Sequence, residues 1–273
     1  MTLWARKIRT VKIRAKTKWP MSKSPWRTYG KWFYAATQDG SVRSAERVLP
    51  SVMDLVRPSS LVDIGCGSGA WLSVAKGLGI DRLVGIDGEW VSKDALLIPE
   101  ESFRKWDLSR ALPQGSPRFD LAMSVEVAEH LDPGRADSFV ADLCALSDVV
   151  LFSAAVPGQT GSDHRNEQWP MYWRDRFQQH GYELIDCLRT RMWADEEVEP
   201  WYAQNSYLYV SADRLAADSR LSQAAAEGRQ MPLCVIHPRL FNNFSKPYAP
   251  AVPAPAERRP APQQFLPRME PLP

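Results

Sequence analysis

The sequence predicts a doubly wound α/β domain built on a seven-stranded, mostly parallel sheet. Apolar runs typical of buried strands alternate with amphipathic stretches typical of helices between residues 61 and 211. The first run leads into a turn with three glycines, Gly65, Gly67 and Gly69, and the second ends at an acidic residue, Asp87. A chain of 273 residues with 44% hydrophobic content can bury one such core and carry flanking segments.

The individual elements follow from apolar periodicity and from residues that start or stop helices. Ser41 is expected to cap the first helix, Pro170 to begin the last one and Gly181 to end it. Strands are predicted at 61–65, 82–87, 103–107, 119–124, 148–153, 182–190 and 205–211. Helices are predicted at 41–57, 69–78, 134–146 and 170–180. The polar stretch 154–168 is predicted to be a long loop, and such loops commonly carry function.

Composition divides the chain into four parts. Residues 1–31 contain ten Lys and Arg and no acidic residue, which predicts a flexible extension that can contact anionic surfaces, with a transit peptide as the alternative. After Lys246 prolines recur between alanines, and this composition cannot build a core. The predicted parts are a basic N-terminal extension at 1–28, an α/β domain at 29–215, a partly helical C-terminal appendage at 216–245 and a Pro/Ala-rich disordered tail at 246–273.

The composition argues against several classes of protein. No apolar run approaches the ~20 residues of a membrane span, and there is no secretory apolar core. The four cysteines form no C-x-x-C pair, which indicates neither a disulfide framework nor a zinc site, and we expect a cytoplasmic protein. The net charge of +2 gives no indication of a nucleic-acid partner.

The glycine turn predicts a site for a nucleoside-type cofactor. Glycine is needed where a side chain would block a ligand or forbid the φ angles of a turn, and the following helix points its N–H groups at that ligand. Asp87 lies 22 residues after Gly65, where an acidic residue is expected to bind ribose hydroxyls. Gly65, Gly67 and Ala70 also fit the dinucleotide fingerprint, so the turn alone leaves the cofactor open.

Three motifs together resemble the class I S-adenosylmethionine-dependent methyltransferases. The stretch D-x-G-C-G-x-G at 63–69 resembles their motif I, and Asp107-Leu108 resembles the element that meets the adenine amino group. The stretch F-D-L-x-x-S-x-E-V-x-E-H-L at 119–131 is similar to their motif IV, which dinucleotide dehydrogenases do not show. A further motif, H-x-N-E-Q-W-P-x-Y-W at 164–173, resembles a bacterial subfamily often associated with glycan gene clusters. The resemblance covers roughly residues 29–211.

The resemblance implies a Rossmann-like sheet and S-adenosylmethionine as the cofactor. It implies cofactor contacts from the glycine turn, from acidic residues at strand ends and from their neighbours. These candidates are Arg43, Asp63, Gly65, Cys66, Gly67, Gly69, Asp87, Gly88, Asp107, Leu108 and Glu126. For Arg43, a solvated helix face is the alternative.

The catalytic candidates follow from the chemistry of methyl transfer. Transfer is a direct displacement, and a hydroxyl acceptor also needs a general base, for which histidine is suited near neutral pH. His164 is the favoured base because it lies in the polar loop, and His130 and Glu126 are the other catalytic candidates. The acceptor is expected to meet residues of the segment 157–173, namely Asn166, Glu167, Gln168 and Trp169.

The favoured function is O-methylation of a sugar or glycan precursor, or of another small molecule, without a metal. One alternative is a metal-assisted RNA ribose 2′-O-methyltransferase, because small-RNA 3′-terminal methyltransferases hold a divalent metal with a similar E-x-x-E-H and a distant histidine. The corresponding residues are Glu126, Glu129, His130 and His164. The alternative outside the enzymes is a cofactor-binding scaffold protein.

Overall fold

The computed structural model describes residues 31–228 and 231–244, with side chains from residue 38 to residue 241. The predicted basic extension at 1–28 and the predicted disordered tail at 246–273 lie outside the described residues. Within the described part, no helix is both long enough and apolar enough to cross a membrane.

Seven strands form one sheet in the order β3-β2-β1-β4-β5-β7-β6. Strand β7 runs antiparallel to both of its neighbours, β5 and β6, and the other pairs are parallel. The strands are β1 Ser60–Ile64, β2 Arg82–Asp87, β3 Phe103–Lys105, β4 Leu121–Val125, β5 Val149–Ser153, β6 Tyr182–Ile185 and β7 Tyr207–Ser211. The predicted Rossmann-like, doubly wound and mostly parallel sheet is therefore confirmed.

Helices cover both faces of the sheet. They are α1 Lys31–Val56, α2 Ala70–Gly77, α3 Ala136–Leu146, α4 Pro170–Gln179, α5 Arg189–Met192, α6 Pro200–Asn205, α7 Ala212–Ala217, α8 Ser219–Glu227 and α9 Pro238–Phe244. Successive side chains of β1 point to opposite faces, as the pleat requires. Leu61 packs in the core that α1 and α2 cover, whereas Val62 and Ile64 pack in the core that α3 and α4 cover.

The first helix begins ten residues earlier than predicted, so the expected cap at Ser41 is wrong. Helix α1 runs through Gly40, the residue before the predicted cap. A Cβ on Gly40 would lie 2.6 Å from Glu199 Oε1, so the absence of a side chain there permits close packing. The hydroxyl of Ser44 donates to the Gly40 carbonyl at 2.7 Å, one turn back within the same helix.

Strands β3 and β6 end at least two residues earlier than predicted. Strand β3 ends at Lys105, although the next N–H, from Trp106, still donates to the Asp87 carbonyl at 2.8 Å. Strand β6 ends at Ile185 rather than at residue 190, because Asp186 accepts from the buried Arg189 Nε at 2.9 Å and α5 begins there. Helix α7 spans the predicted boundary between residues 215 and 216.

Candidate functional site

A cavity of about 940 Å³ opens where the carboxyl ends of the parallel strands meet. It lies beside the switch between β1 and β4, the place where ligands bind in open α/β sheets. Its wall contains the glycine turn, the ends of β2 and β4, the residues that follow β3, and loop residues 159–165. Helices α6 and α9 close the cavity on the remaining side through Tyr202 and Leu240.

The glycine turn has the backbone conformation for which glycine is required. Gly65, Gly67 and Gly69 have φ angles of 84°, 53° and 85°. A Cβ on Gly65 would lie 2.4 Å from Val127 Cγ2, so the turn also packs too closely for a side chain. Gly65, Gly67 and Cys66 line the cavity, while Gly69 supports the turn from behind as the residue before α2.

Two buried carboxyl groups lie behind this turn. Asp87 accepts hydrogen bonds from the N–H of Gly67 at 2.7 Å and from the N–H of Gly88 at 2.6 Å. Burial raises the pKa of Asp87 to about 6, and these two hydrogen bonds act against the rise. Burial, together with the charge of Asp87, raises the pKa of Asp63 to about 8. At neutral pH the pair therefore carries one main charge, on Asp87, which suits the hydroxyl groups of a ribose.

Tryptophan side chains form a flat wall beyond Asp87. Trp90 lies against Gly88, since a Cβ on this glycine would come within 2.3 Å of the indole ring. Trp106 follows β3 and lines the cavity together with Asp107 and Leu108. Both indoles offer an apolar face to a planar ring, and the predictions from sequence did not include them. The feature of the sequence that could have indicated them is their position, shortly after two strands that end at this edge of the sheet.

Glu126 holds a strained position at the end of β4. Its φ of 55° is uncommon for a residue other than glycine. Its N–H donates to the Ser153 carbonyl at 3.0 Å. Its Oε2 accepts from Gln159 Nε2 at 2.7 Å, and its Oε1 accepts from Asn205 Nδ2 at 3.3 Å. Burial raises the pKa of Glu126, and these two amide donors oppose the rise.

The imidazoles of His130 and His164 face each other in the cavity wall, with ring centroids 4.8 Å apart. Burial and the neighbouring His164 lower the pKa of His130 to about 4, so His130 is neutral at physiological pH. His164 Nδ1 lies 2.7 Å from Glu167 Oε1. Glu167 also accepts from the N–H groups of Gly158 and Thr160, at 2.8 and 2.7 Å, and so fixes the loop that carries His164.

Glu129 lies beside the histidine pair and is 1% exposed. Within the described residues, neither of its carboxylate oxygens has a hydrogen-bond partner at normal geometry. Burial raises the pKa of Glu129 well above its ordinary value, and the charge of Glu126 adds to this. One ligand atom each from Glu129, His130 and His164 lies within 4.8 Å of the others. An orphaned carboxylate and two imidazoles fit a divalent cation.

One predicted cofactor contact, Arg43, lies away from the cavity wall. Arg43 Nη2 donates to Glu199 Oε1 at 3.2 Å, and Arg43 is not among the lining residues. Its place on α1 is taken by Gln38 and Ser41, and the Ser41 hydroxyl lies 3.0 Å from the Tyr202 hydroxyl. The solvated face that the sequence left open for Arg43 matches this position.

The four residues predicted to meet the acceptor do not line the cavity either. Asn166 is 2% exposed and its Oδ1 accepts from Gln168 Nε2 at 2.9 Å, so this pair supports the loop from within. Glu167 holds His164, as described above. Trp169 precedes α4 and is 39% exposed. Their predicted contact with the acceptor stays a prediction.

The chain is similar to known methyltransferases. A family model described as "Methyltransferase domain" matches residues 41–192. No curated protein matches the sequence. Among solved structures, the methyltransferase domain of the bacterial CtHen1 is 21% identical over 62% of this chain and 98% of that one, with a TM-score of 0.46.

Two other solved structures are similar to the same extent. A SAM dependent methyltransferase from Archaeoglobus fulgidus is 16% identical over 66% of this chain and 98% of that one, with a TM-score of 0.46. Magnesium protoporphyrin IX methyltransferase from Synechocystis PCC 6803, with bound SAH, is 17% identical over 68% of this chain and 91% of that one, with a TM-score of 0.46.

Proposed function

This chain belongs to the methyltransferase domain family and is an enzyme that uses S-adenosylmethionine, and from this premise we propose that it methylates a hydroxyl oxygen of a sugar or glycan precursor. The non-catalytic scaffold and the dinucleotide dehydrogenase are thereby ruled out. The observation that carries the choice of an oxygen acceptor is the hydrogen bond between His164 and Glu167 in the wall of the cavity.

The residues present fit the cofactor. The glycine turn lines the cavity with Gly65, Cys66 and Gly67, so its backbone can approach a ligand closely. Asp87 can accept from ribose hydroxyls, and the indoles of Trp90 and Trp106 can cover a planar base. When bound, S-adenosylmethionine supplies a methyl carbon made electrophilic by the sulfonium centre. Asp107 also lines the cavity, and in this proposal its carboxylate meets the adenine amino group.

His164 is the base in this proposal. With its Nδ1–H donated to Glu167, the imidazole keeps Nε2 to take the proton of the acceptor hydroxyl during methyl transfer, in which S-adenosylhomocysteine would be the leaving group. Glu167 then stabilises the imidazolium. His130 is neutral and packs edge to face on His164, which limits rotation of the base.

A sugar acceptor is supported by polar groups in the wall of the cavity. The amide of Gln159, the carboxylate of Glu126 and the hydroxyl of Tyr202 provide donors and acceptors for several hydroxyl groups. The indole of Trp201 lines the cavity beside Tyr202 and offers an apolar face to a sugar ring.

The test is transfer of labelled methyl groups from S-adenosylmethionine to a cell extract by the full-length protein. We expect the label in a carbohydrate fraction, stable to mild alkali because a methyl ether resists alkali and a methyl ester does not. The variant His164→Ala should abolish labelling, and His180→Ala, at an exposed histidine after α4, should not. Label confined to protein, or equal labelling by both variants, contradicts the proposal.

A second candidate is metal-assisted methylation of a ribose 2′-hydroxyl in RNA. It is favoured by one observation, the buried Glu129 carboxylate without a hydrogen-bond partner in the described structure, close to His130 and His164. These residues, with Glu126, would hold the divalent ion. The ion would supply positive charge beside the acceptor hydroxyl.

Calorimetry with Mn²⁺ distinguishes the two candidates independently of activity. Metal-assisted transfer requires that Mn²⁺ binds the chelator-treated wild type and that Glu129→Gln removes this binding. It also requires salt-sensitive binding of RNA by the full chain. Methyl transfer that survives exhaustive chelation, in a protein that binds no Mn²⁺, excludes this candidate and leaves the metal-free one.

The proposed partner is a small-molecule or glycan acceptor, and the proposed compartment is the cytoplasm. The four cysteines, Cys66, Cys144, Cys187 and Cys234, are free thiols, in keeping with a reducing compartment. Burial raises the pKa of Cys187 to about 11 and so keeps this thiol unreactive. Contact of the basic N-terminal extension with anionic surfaces is also a proposal.

A further inference from the structure

Hydrogen bonds connect Glu126 to a distant segment of the chain. Glu126 Oε1 accepts from Asn205 Nδ2 at 3.3 Å, and Asn205 Oδ1 accepts from Gln204 Nε2 at 2.8 Å. Gln204 Oε1 in turn accepts from the backbone N–H of His237 at 2.6 Å. All donors in this series, which we call the amide relay, point toward Glu126. The orientation of each amide therefore depends on the one behind it.

The amide relay is buried and has a second branch. Gln204, Asn205 and His237 are 1%, 2% and 4% exposed. Asn205 Nδ2 also donates to Gln159 Oε1 at 2.9 Å, and Gln159 Nε2 donates to Glu126 Oε2 at 2.7 Å. Both carboxylate oxygens of Glu126 thus receive an amide donor. Buried polar networks in which each member is satisfied hold one arrangement, because breaking a link leaves a costly unpaired group.

The far end of the relay is anchored by His237. Its Nδ1 accepts from the N–H of Arg239 at 3.1 Å, so Nε2 carries the proton and donates to the Trp193 carbonyl at 2.7 Å. Arg239 Nη1 also donates to the Val198 carbonyl at 2.8 Å. The next residue, Leu240, is 2% exposed and lines the cavity. This segment is therefore fastened to the body of the enzyme at several points beside the site.

We infer that Gln204 and Asn205 are positioning residues for the Glu126 carboxylate. This inference rests on the proposed place of Glu126 in the reaction centre. Residues 232–240, which include His237, then help to hold the reaction centre in place, although the match to the family model ends at residue 192. The left-handed backbone of Glu126 explains the need for outside support. A strained residue keeps one orientation only when its surroundings hold it there.

A double-mutant cycle on the full chain tests whether Asn205 acts through Glu126. Asn205→Leu removes both amide donors at similar volume, and we expect it to slow single-turnover methyl transfer by about tenfold or more. In the Glu126→Gln background the same change should slow transfer by less than about twofold, because the group it positions is already altered. Equal factors in the two backgrounds overturn the inference.

Tyr207→Phe is the matched control for a general loosening of the C-terminal segment. It removes the hydrogen bond from the Tyr207 hydroxyl to the Leu233 carbonyl at 3.2 Å, which tethers the same C-terminal segment without belonging to the amide relay. We expect its effect on the rate to be the same in both backgrounds. An effect of Tyr207→Phe as large as that of Asn205→Leu would assign the loss to general loosening of the segment, which contradicts the inference.

A crystal structure of the Asn205→Leu variant provides the readout that needs no acceptor. We expect the Glu126 carboxylate to leave its position on Gln159, and an unmoved carboxylate overturns the inference. If the wild type transfers methyl to no acceptor, the proposed function fails, and this crystal structure alone decides the role of the relay.

Discussion

The rings of His130 and His164 meet edge to face at 4.8 Å, which places two imidazoles where only one can readily carry a charge. Burial and the nearby His164 lower the pKa of His130 to about 4, so His130 stays neutral. His164 has different surroundings, because its Nδ1 lies 2.7 Å from Glu167 Oε1. The pair assigns distinct roles to two residues of one type.

The first prediction concerns the base. His164→Ala should lower the methyl-transfer rate by about 10²–10⁴-fold, the usual contribution of a general base, with unchanged affinity for S-adenosylmethionine. Single-turnover assays and calorimetry measure the two quantities. His180→Ala is the control, since this histidine is exposed. A rate within about threefold of wild type would remove His164 from the mechanism.

The second prediction concerns cofactor binding by Asp87. Asp87→Asn should weaken S-adenosylmethionine binding by about 1.5–3 kcal/mol, the value of a hydrogen bond to a charged group. Calorimetry with S-adenosylmethionine measures the loss. Asp94→Asn, in the exposed 3₁₀ turn Lys93–Ala95, is the control and should bind as the wild type does. Equal affinities of the two variants would show that Asp87 makes no contact with the cofactor.

The third prediction concerns stability and pH. Because burial raises the pKa of Asp63 to about 8 in the folded state, the folded protein holds this proton more tightly than the unfolded chain does. Stability should therefore fall as the pH rises from about 4 through about 8.

Urea unfolding of Asp63→Asn checks this sign. The variant lacks the titration, so its gain in unfolding free energy over wild type should be larger at pH 9 than at pH 5. The difference should be at least about 1.4 kcal/mol, the value of one pKa unit. A difference that is constant with pH would mean that Asp63 does not titrate in this range.

The fourth prediction separates backbone conformation from packing in the glycine turn. Gly65 and Gly79 both have positive φ, 84° and 95°, but only a Cβ on Gly65 would meet other atoms, since Gly79 has none within 4 Å. Gly79→Ala should cost about 1–2 kcal/mol for the conformation alone. Gly65→Ala should cost about 1–3 kcal/mol more and should also weaken cofactor binding. Equal unfolding free energies for the two variants would contradict close packing at Gly65.

The grouping of the glycine turn with Asp87 at one edge of the sheet could be predicted from sequence, because these residues lie close together along the chain. Gly65, Gly67 and Asp87 sit at the ends of neighbouring strands, and strand periodicity alone brings them to one edge. The hydrogen-bond partners of Glu126 could not be predicted in this way. Asn205 lies 79 positions from Glu126, and local patterns carry no information about which distant loops meet.

The same limit applies to the prediction of the residues that meet the acceptor. The loop 154–168 was predicted to face the acceptor, and its residues Gln159 and His164 do line the cavity. Asn166, Glu167 and Gln168 lie outside the cavity wall and form hydrogen bonds within the loop. Which side chains of an irregular loop line a cavity follows from no periodicity. The contact between the His237 N–H and Gln204 connects positions 33 apart, and local sequence patterns do not indicate it either.

The reversed direction of β7 has a consequence for how this enzyme can diversify. Since β7 runs opposite to the others, it starts at the edge where they end, and Tyr207 pairs with Phe152 near the end of β5. The segment before β7 therefore reaches the cavity, where Trp201 and Tyr202 line the wall, whereas the glycine turn and Asp87 come earlier in the chain. Sequence change between β6 and β7 can then reshape one side of the cavity while the glycine turn stays as it is.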